Sequence, residues 1–476
     1  MKRRRVLLLN PPGFQIYIRD YYCSKVSKAK YIYHPVDLLM LSGIVAEHHD
    51  IYVLDGIIDG WTHYNAMRSI RSFRPDVIIF LTGVASFKED MQFIGELKRL
   101  MPFVSVASGE LFLEGPRERL SAMPLVDATV LDFTEMSILD LIDRVGEPGV
   151  LEEGPPIRNI VYRSRDKIIG ENDLVRTGVD FEIPIPRHDL FPNDRYRYPF
   201  VRDFPFATVL TDFGCPFTCE FCAISRLGYK KRSIDNVLQE LDFIKALGFR
   251  DIYFDDQTFG ADRSRIEKLL NAMIERRYGF GFISFTRADI VDLDFLKLLK
   301  AAGCHSLVFG IEGSGDRNLE SIQKGLTIDV VRQAISWCRK LGIRTIGTFI
   351  VGLPGMTVEE AANIGSFAAD LNLDFASFNV PAPRPGTGLR KRALEEGWIQ
   401  EDLMEMDQSG SYAVMGNEFM TAEQVEFYRQ QASKTFYFRF SYLLRRFLNI
   451  RSWYEVKSHL TEGLDLLLPK TFVKKH

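Results

Sequence analysis

Two long runs of alternating strand and helix signals, parted by a proline-rich stretch, constrain this chain more than any other feature. In the first run the short apolar segments VLLLN (6–10), IYVLD (51–55), DVIIFL (76–81), VSVAS (104–108) and DATVLDF (127–133) are separated by helical patterns such as VDLLMLSGIVAEHH and EDMQFIGELKRLM. Strands joined by helical crossovers make a parallel sheet with helices on both faces, so residues 1–148 read as a doubly wound, Rossmann-like α/β domain. Ligands of such sheets lie at the carboxyl ends of the strands, where this chain carries Asn10-Pro11-Pro12-Gly13, Asp55-Gly56, Thr82-Gly83 and Ser108-Gly109. These residues suit close approach to a ligand, and they equally make turns.

Residues 149–199 read as a connector. It holds a hairpin, IRNIVYRSRDKIIGE, and then IPIPRHDLFPNDRYRYPF, whose prolines favour extended chain over helix. From 200 to 388 the alternation resumes six times, with strands at 207–213, 251–256, 280–289, 306–313, 344–352 and 375–383. Six βα units on one sheet predict a partial (β/α)6 barrel of TIM type, open on one side, with its chemistry in the loops that follow the strands. The remaining residues, 389–476, read as a helical C-terminal cap. Between Phe427 and Tyr454 that cap carries ten aromatic residues, and from Arg429 to His476 ten Lys and Arg stand against three acids. Such a segment is either a packed lid with a solvated charged face or a peripheral membrane contact.

A formal net charge of −3 and a pI near 6.3 give no sign of a nucleic-acid partner. The opening MKRRRVLLLNPPG has only four apolar residues before Asn10, so it reads as a buried strand rather than a signal peptide. No apolar stretch approaches the roughly 18 residues that span a bilayer. A cytoplasmic location is expected. Six cysteines in such a chain argue for metal or redox chemistry rather than a disulfide framework.

Three of the six lie together in LTDFGCPFTCEFCAISR, as Cys215, Cys219 and Cys222 with the spacing C-x3-C-x2-C in the loop after the first barrel strand. Three thiolates converging there suit three irons of a cubane cluster and leave the fourth iron open. A structural zinc site wants a fourth closed ligand, which the neighbouring sequence does not supply. Three core cysteines grouped by chance is the remaining reading. Cys304 and Cys338 follow helical apolar patterns and read as small buried hydrophobes. Cys23 sits in the loop after the first strand, on the side where a ligand would lie.

At this loop, with the aromatic Phe221 just before the third cysteine, the chain resembles the radical S-adenosylmethionine (SAM) enzymes, and the resemblance runs along the whole of 200–385. It implies a 4Fe-4S cluster on Cys215, Cys219 and Cys222, with SAM chelated to the open iron and cleaved reductively to a 5'-deoxyadenosyl radical. It also implies SAM contacts from Phe221, from Asp255 and Asp256 in YFDDQTFG, from Arg287 in FTRADI, from Glu312 and Ser314 in FGIEGSGDRNLE, and from Gly352 in GTFIVGLPG. The family's glycines are missing before Asp255. From the residues alone, the paired aspartates equally cap a helix and Arg287 equally makes a structural ion pair.

A doubly wound domain ahead of such a barrel is similar to the cobalamin-binding subclass of the family. That likeness implies a corrinoid over the strand ends, near Pro11, Asp55, Thr82, Gly83, Ser108 and Gly109. The D-x-H-x-x-G signature is absent, His63 standing at the wrong spacing, so no histidine is expected on the cobalt. Two further departures are Ser108-Gly109 in place of a Gly-Gly pair and DFTE in place of Gly-Glu-Gly-Glu. The implied reaction is methylation of an unactivated carbon of a small or lipid-like substrate, with electrons from a donor such as flavodoxin or ferredoxin. The alternatives are radical cyclisation, rearrangement or C–C coupling without methyl transfer, and a non-catalytic corrinoid or cluster sensor.

Overall fold

The Arg5–Asn10 strand (β1) is buried beyond its first residue because it lies inside a sheet with covered faces, which is why VLLLN is apolar without alternation. The structure, a computed structural model, describes residues 2–28, 31–174, 180–410, 412–440 and 442–444. β2 (Asp50–Asp55) and β3 (Val77–Leu81) flank β1 in parallel, and β4 (Val104–Ser108) and β5 (Ala128–Val130) extend the sheet beyond β3. The expected hairpin is β6 (Ile160–Ser164) and β7 (Lys167–Ile169), and it adds antiparallel to the β5 edge of the same sheet. The order β2-β1-β3-β4-β5-β6-β7 reverses direction between β1 and β3. That pair of strand ends is the switch point at which such sheets take ligands.

The second sheet holds β8 (Phe206–Val209), β9 (Asp251–Phe254), β10 (Gly281–Thr286), β11 (Cys304–Glu312), β12 (Arg344–Ile350) and β13 (Phe375–Asn379), all parallel and in chain order. Its outward residues, among them Phe254, Phe309, Phe349 and Phe378, pack under helices. Its inward set, Tyr253, Ile283, Val308, Ile346 and Phe375, belongs instead to one core with Tyr33 and Tyr198 from outside the barrel. Nearer the carboxyl ends, Phe285, Gly310, Thr348 and Ser377 keep part of their surface open. The register sets Gly310, Thr348 and Ser377 side by side across three strands.

Among the described residues β8 and β13 do not pair, so the barrel is open, and residues 19–28 and 31–34 lie across the opening. At one edge the Lys28 ammonium donates to Ser377 Oγ (3.1 Å), Phe378 O (2.5 Å) and Asn379 Oδ1 (2.7 Å) of β13. At the other, His34 Nδ1 lies 3.1 Å from Thr208 Oγ1 of β8. Between them the Tyr33 ring meets those of Tyr198 and Tyr253 at 5.2 and 5.3 Å.

The expected helical cap is described in part. The helix Ala422–Tyr437 opens with a capping box between Thr421 and Gln424 and lies against the helix Val358–Asp370. The aromatic and basic run beyond 444 lies outside the described residues. No helix among the described residues is long and apolar enough to cross a membrane.

Arg232 is fully buried at the foot of the cysteine loop. Its guanidinium pairs with Glu240 and donates to Asn236 Oδ1 (2.6 Å), while His188 Nε2 lies 2.7 Å from the same Glu240 carboxylate. Burial drives the Glu240 carboxyl up, and Arg232 and His188 together more than reverse this, holding it below the usual range. Removing one member of a buried pair leaves an uncompensated charge. Arg232→Met is therefore expected to lower unfolding stability by about 3–5 kcal/mol, read from urea denaturation.

Candidate active site

The cysteine loop begins on a two-stranded ribbon, Asp212–Gly214 against Tyr229–Lys231. Gly214 takes φ +82°, and a Cβ there would stand 1.9 Å from Gly228 O, so this turn admits only glycine. The Asp256 carboxylate anchors the ribbon, accepting from Thr211 N (2.6 Å), Thr211 Oγ1 (2.6 Å) and Asp212 N (3.1 Å). From the other sheet, Tyr21 Oη accepts from Gly214 N at 2.5 Å. The loop is thus fixed on both sides before the first cysteine.

Cys215 Sγ lies 3.4 Å from Thr258 Oγ1, and Cys222 N donates to Cys219 O at 3.1 Å. Burial pushes the Cys222 thiol up to about 12, and the proximity of Cys215 and Cys219 adds to the rise. Burial likewise raises Cys215. Sulfurs so placed that two of them oppose the ionisation of Cys222 call for cations beside them. Among the described residues no three metal-binding side chains close on a single point. Thiolates that each take a different iron need no common centre, so this donor set fits a cubane and not a lone zinc ion.

Arg287 stands beside these sulfurs. Its Nη1 is 3.8 Å from Cys219 Sγ, its Nη2 donates to Lys324 O (2.6 Å), and the guanidinium stacks 3.8 Å above the Phe217 ring. Asp289 takes the rest of the fork at 2.8 and 3.0 Å. At the end of β11 the ladder slips between Gly310 and Glu312, and Glu312 takes φ +68°. The slip aims its carboxylate at Lys324, 2.9 Å away and buried. Burial pulls the Lys324 amine down, but Glu312 and Cys219 hold it above its ordinary value. Lys324 also lies 5.8 Å over the Phe221 ring. Cys215, Cys219, Cys222, Phe221, Arg287 and Glu312 therefore meet at one end of the barrel, with Ser314 half-buried just beyond.

A family model described as the radical SAM superfamily matches residues 210–368. An uncharacterized methyltransferase of Pyrococcus horikoshii is 30% identical over 429 residues, which is 86% of this chain and 89% of that protein. The chain belongs to the radical SAM superfamily. Its fold is that of enzymes with a cobalamin-binding domain ahead of the barrel. The radical SAM methyltransferase TsrM from Kitasatospora setae, solved with cobalamin and a [4Fe-4S] cluster, matches with a TM-score of 0.66 at 19% identity, over 91% of this chain and 85% of that one. The same enzyme has been solved with tryptophan as substrate. The cobalamin-dependent SAM radical enzyme OxsB matches at 0.67 and 15% identity, over 98% and 72%.

Three other residues expected to contact SAM are buried among partners of their own in this radical SAM chain. Asp256 is spent on the ribbon. At Gly352 a Cβ would meet Val425 at 2.4 Å, so that glycine admits the helix Ala422–Tyr437. Asp255 faces the lumen, where its carboxyl meets that of Asp20 from the segment after β1. Burial drives Asp255 up and the Asp20 charge drives it further.

At the switch point the strand ends close on one another. Arg19 donates to Ser86 Oγ, Asn10 Oδ1, Pro11 O and Asp90, at 2.5 to 2.9 Å. Asp55 accepts from Asn10, Tyr196, Ile57 and Ile58. The Glu110 carboxylate takes Val84 N, Ser24 N and Arg384. Gly83 abuts Ser24 and Glu110. Thr82, Ser108 and Gly109 line a cavity of about 10 Å³ with Arg19, Asp20, Tyr22, Cys23 and Asp37. That is room for about one water. The corrinoid residues expected from sequence are gathered at one place, but in this conformation their crevice does not fit a corrinoid tail. Arg19, Asp20, Tyr21, Glu110, Lys324 and Arg384 were not foreseen, because partners drawn from separate sheets leave no local motif.

Asp37 lies in this crevice, accepting from Tyr21 N (2.7 Å) and Ser108 Oγ (3.1 Å). Burial, reinforced by Asp20, pushes its carboxyl up to about 7. A carboxyl raised by folding stabilises the fold while protonated; that contribution is full below its unfolded value of about 4 and is lost as pH rises through 7. Asp37→Asn is expected to flatten the fall in stability between about pH 4 and pH 7, measured as urea midpoints.

Proposed function

We propose that this chain is a radical SAM enzyme of the cobalamin-dependent, methyltransferase-like kind, which cleaves SAM and methylates an unactivated carbon of a small molecule. The observation that carries the reading is the gathering of Cys215, Cys219 and Cys222, the second buried and the other two half-buried, beside Arg287 in a loop held from two sides. Cys215, Cys219 and Cys222 would hold an iron-sulfur cluster, which would supply the low-potential electron that cleaving the SAM sulfonium requires.

The chain's own residues do the positioning. Arg287 sets positive charge against the Cys219 sulfur and fixes Lys324 through its carbonyl. The Glu312–Lys324 pair and the Phe221 ring offer SAM a charged and a flat contact beside the cluster, with Ser314 and the lumen-facing Asp255 as further contacts. Asp256 and Gly352 act on the scaffold instead. The lumen row Gly310, Thr348 and Ser377 is the place for the substrate, with Lys28 and Tyr33 on its open side. Electrons come from a small donor such as flavodoxin or ferredoxin.

Methyl transfer and corrinoid binding rest on the likeness of the whole fold, and no step is assigned to the corrinoid. The test is anaerobic reconstitution with iron, sulfide and hydroxocobalamin, followed by SAM and a reductant. Wild type is expected to show a cubane by magnetic resonance and to release 5'-deoxyadenosine. Each of Cys215→Ala, Cys219→Ala and Cys222→Ala should cut that release at least about a hundredfold. Release that survives all three substitutions sinks the SAM reading, whereas failure to retain corrinoid after gel filtration sinks only its cobalamin part.

A further inference from the structure

The crevice at the switch point is shut by residues that come from the far end of the barrel. After β13 the chain runs through VPAPRPGTGL (380–389), where three prolines within five residues fix an extended path with few ways to bend. This strap crosses to the first sheet. Ala382 is buried in the core on one face of that sheet, and the Arg384 guanidinium pairs with Glu110, two residues beyond β4. Arg384 Nη2 also donates to Ser24 O (2.9 Å) and Gln408 Oε1 (3.3 Å). Both members of the pair are buried, with 4% and 1% of their side chains exposed.

Glu110 draws the crevice walls together. Its carboxylate accepts from Val84 N and Ser24 N, both at 3.0 Å, and a Cβ on Gly83 would stand 2.7 Å from it. The loop after β3 and the segment after β1 are thereby pinned to the end of β4. Cys23 lines the small space left between them, half-buried, and its Sγ lies 3.8 Å from the same Gln408 oxygen that Arg384 reaches.

The other end of the strap is fastened to the cysteine loop. Leu389 N donates to Glu220 O (3.1 Å), between Cys219 and Cys222, and a Cβ on Gly388 would stand 2.6 Å from the Glu220 side chain. Gly386 accepts from Arg226 Nη1 (2.9 Å) and donates to Glu114 Oε2 (3.0 Å), so it too is held from both directions. Ten residues touch both the crevice and the loop that gathers the sulfurs.

We infer that residues 380–389 are a latch, which holds the switch-point crevice closed through Arg384 and Glu110 and moves the cysteine loop when it opens. The latch stands on these contacts; that a corrinoid is what enters the crevice rests on the function proposed above. A buried ion pair suits such a device, because it adds little net stability yet penalises any arrangement that parts its members. Local opening costs less than unfolding, so the crevice opens in a folded protein.

The test is alkylation of the full-length protein by iodoacetamide, followed cysteine by cysteine through peptide mass spectrometry, with backbone hydrogen exchange measured alongside. Glu110→Gln and Arg384→Met combined in one chain remove both charges and leave neither buried alone. In this double variant Cys23 is expected to react about tenfold or more faster, and amides 219–226 should exchange faster as well. Cys304 and Cys338, both buried in the barrel, should keep their wild-type rates and so report an intact fold. If they speed up too, Arg384→Lys, which keeps the charge but not the fork, carries the comparison. An unchanged Cys23 overturns the latch, and a faster Cys23 beside unchanged amides 219–226 overturns its tie to the cysteine loop. Hydroxocobalamin separates the two readings: a faster Cys23 in a protein that retains no corrinoid after gel filtration leaves the latch standing and sinks the corrinoid part of the proposed function, whereas retained corrinoid with an unchanged Cys23 does the reverse.

Discussion

A six-stranded parallel sheet curved into a half-barrel leaves a lumen with no wall on one side and two strand edges without partners. Everything at the site depends on how that gap is closed. Here the closure comes from the other end of the chain: the segment after β1 ties Lys28 to β13 and His34 to β8 and fills the space between with Tyr33. The same segment carries Tyr21 to the base of the cysteine loop and Asp20 to Asp255. The two sheets are therefore joined through the lumen itself, and their inward faces belong to one hydrophobic core.

This closure explains why the buried polar groups are so dense. Arg19, Glu110, Arg384, Asp20 and Asp37 all lie where one sheet's strand ends meet the other's. Buried charges of this kind stabilise little in net free energy but penalise every arrangement that leaves one unpaired, so they set the relative position of the two sheets more than they strengthen it. They also consume the strand-end donors and acceptors that a ligand of the first sheet would use. The crevice of about 10 Å³ is the result.

The cysteine loop needs this rigidity. Cys215 and Cys219 disfavour the ionisation of Cys222, so the three are brought together by backbone held from outside: Asp256 on one flank, Tyr21 on the other, Arg287 across the sulfurs. The barrel supplies two of those supports and the opposing sheet supplies the third.

Much of this was legible in the sequence. The apolar runs marked the strands of both sheets to within a few residues, because a strand buried on both faces has no other way to be written, and C-x3-C-x2-C marked the cluster loop, because three thiolates so close have few other uses. Phe221, Arg287 and Glu312, named from the family resemblance, stand beside that loop. The direction in which side chains point was not legible. Asp255 and Asp256 are neighbours in YFDDQTFG, yet the pleat sends one into the lumen and the other back to Thr211. Gly352 reads as part of a ligand motif, yet what presses on it is Val425, more than seventy residues away. The hairpin after residue 149 joins the first sheet rather than standing apart, since only the fold presents it with the β5 edge. Sequence by itself determined the elements, their order and the clustered sulfurs, since these depend on local composition and spacing. Only the tertiary structure decided which charges meet across the barrel's open side, because those contacts join residues some four hundred positions apart, with no periodicity to announce them.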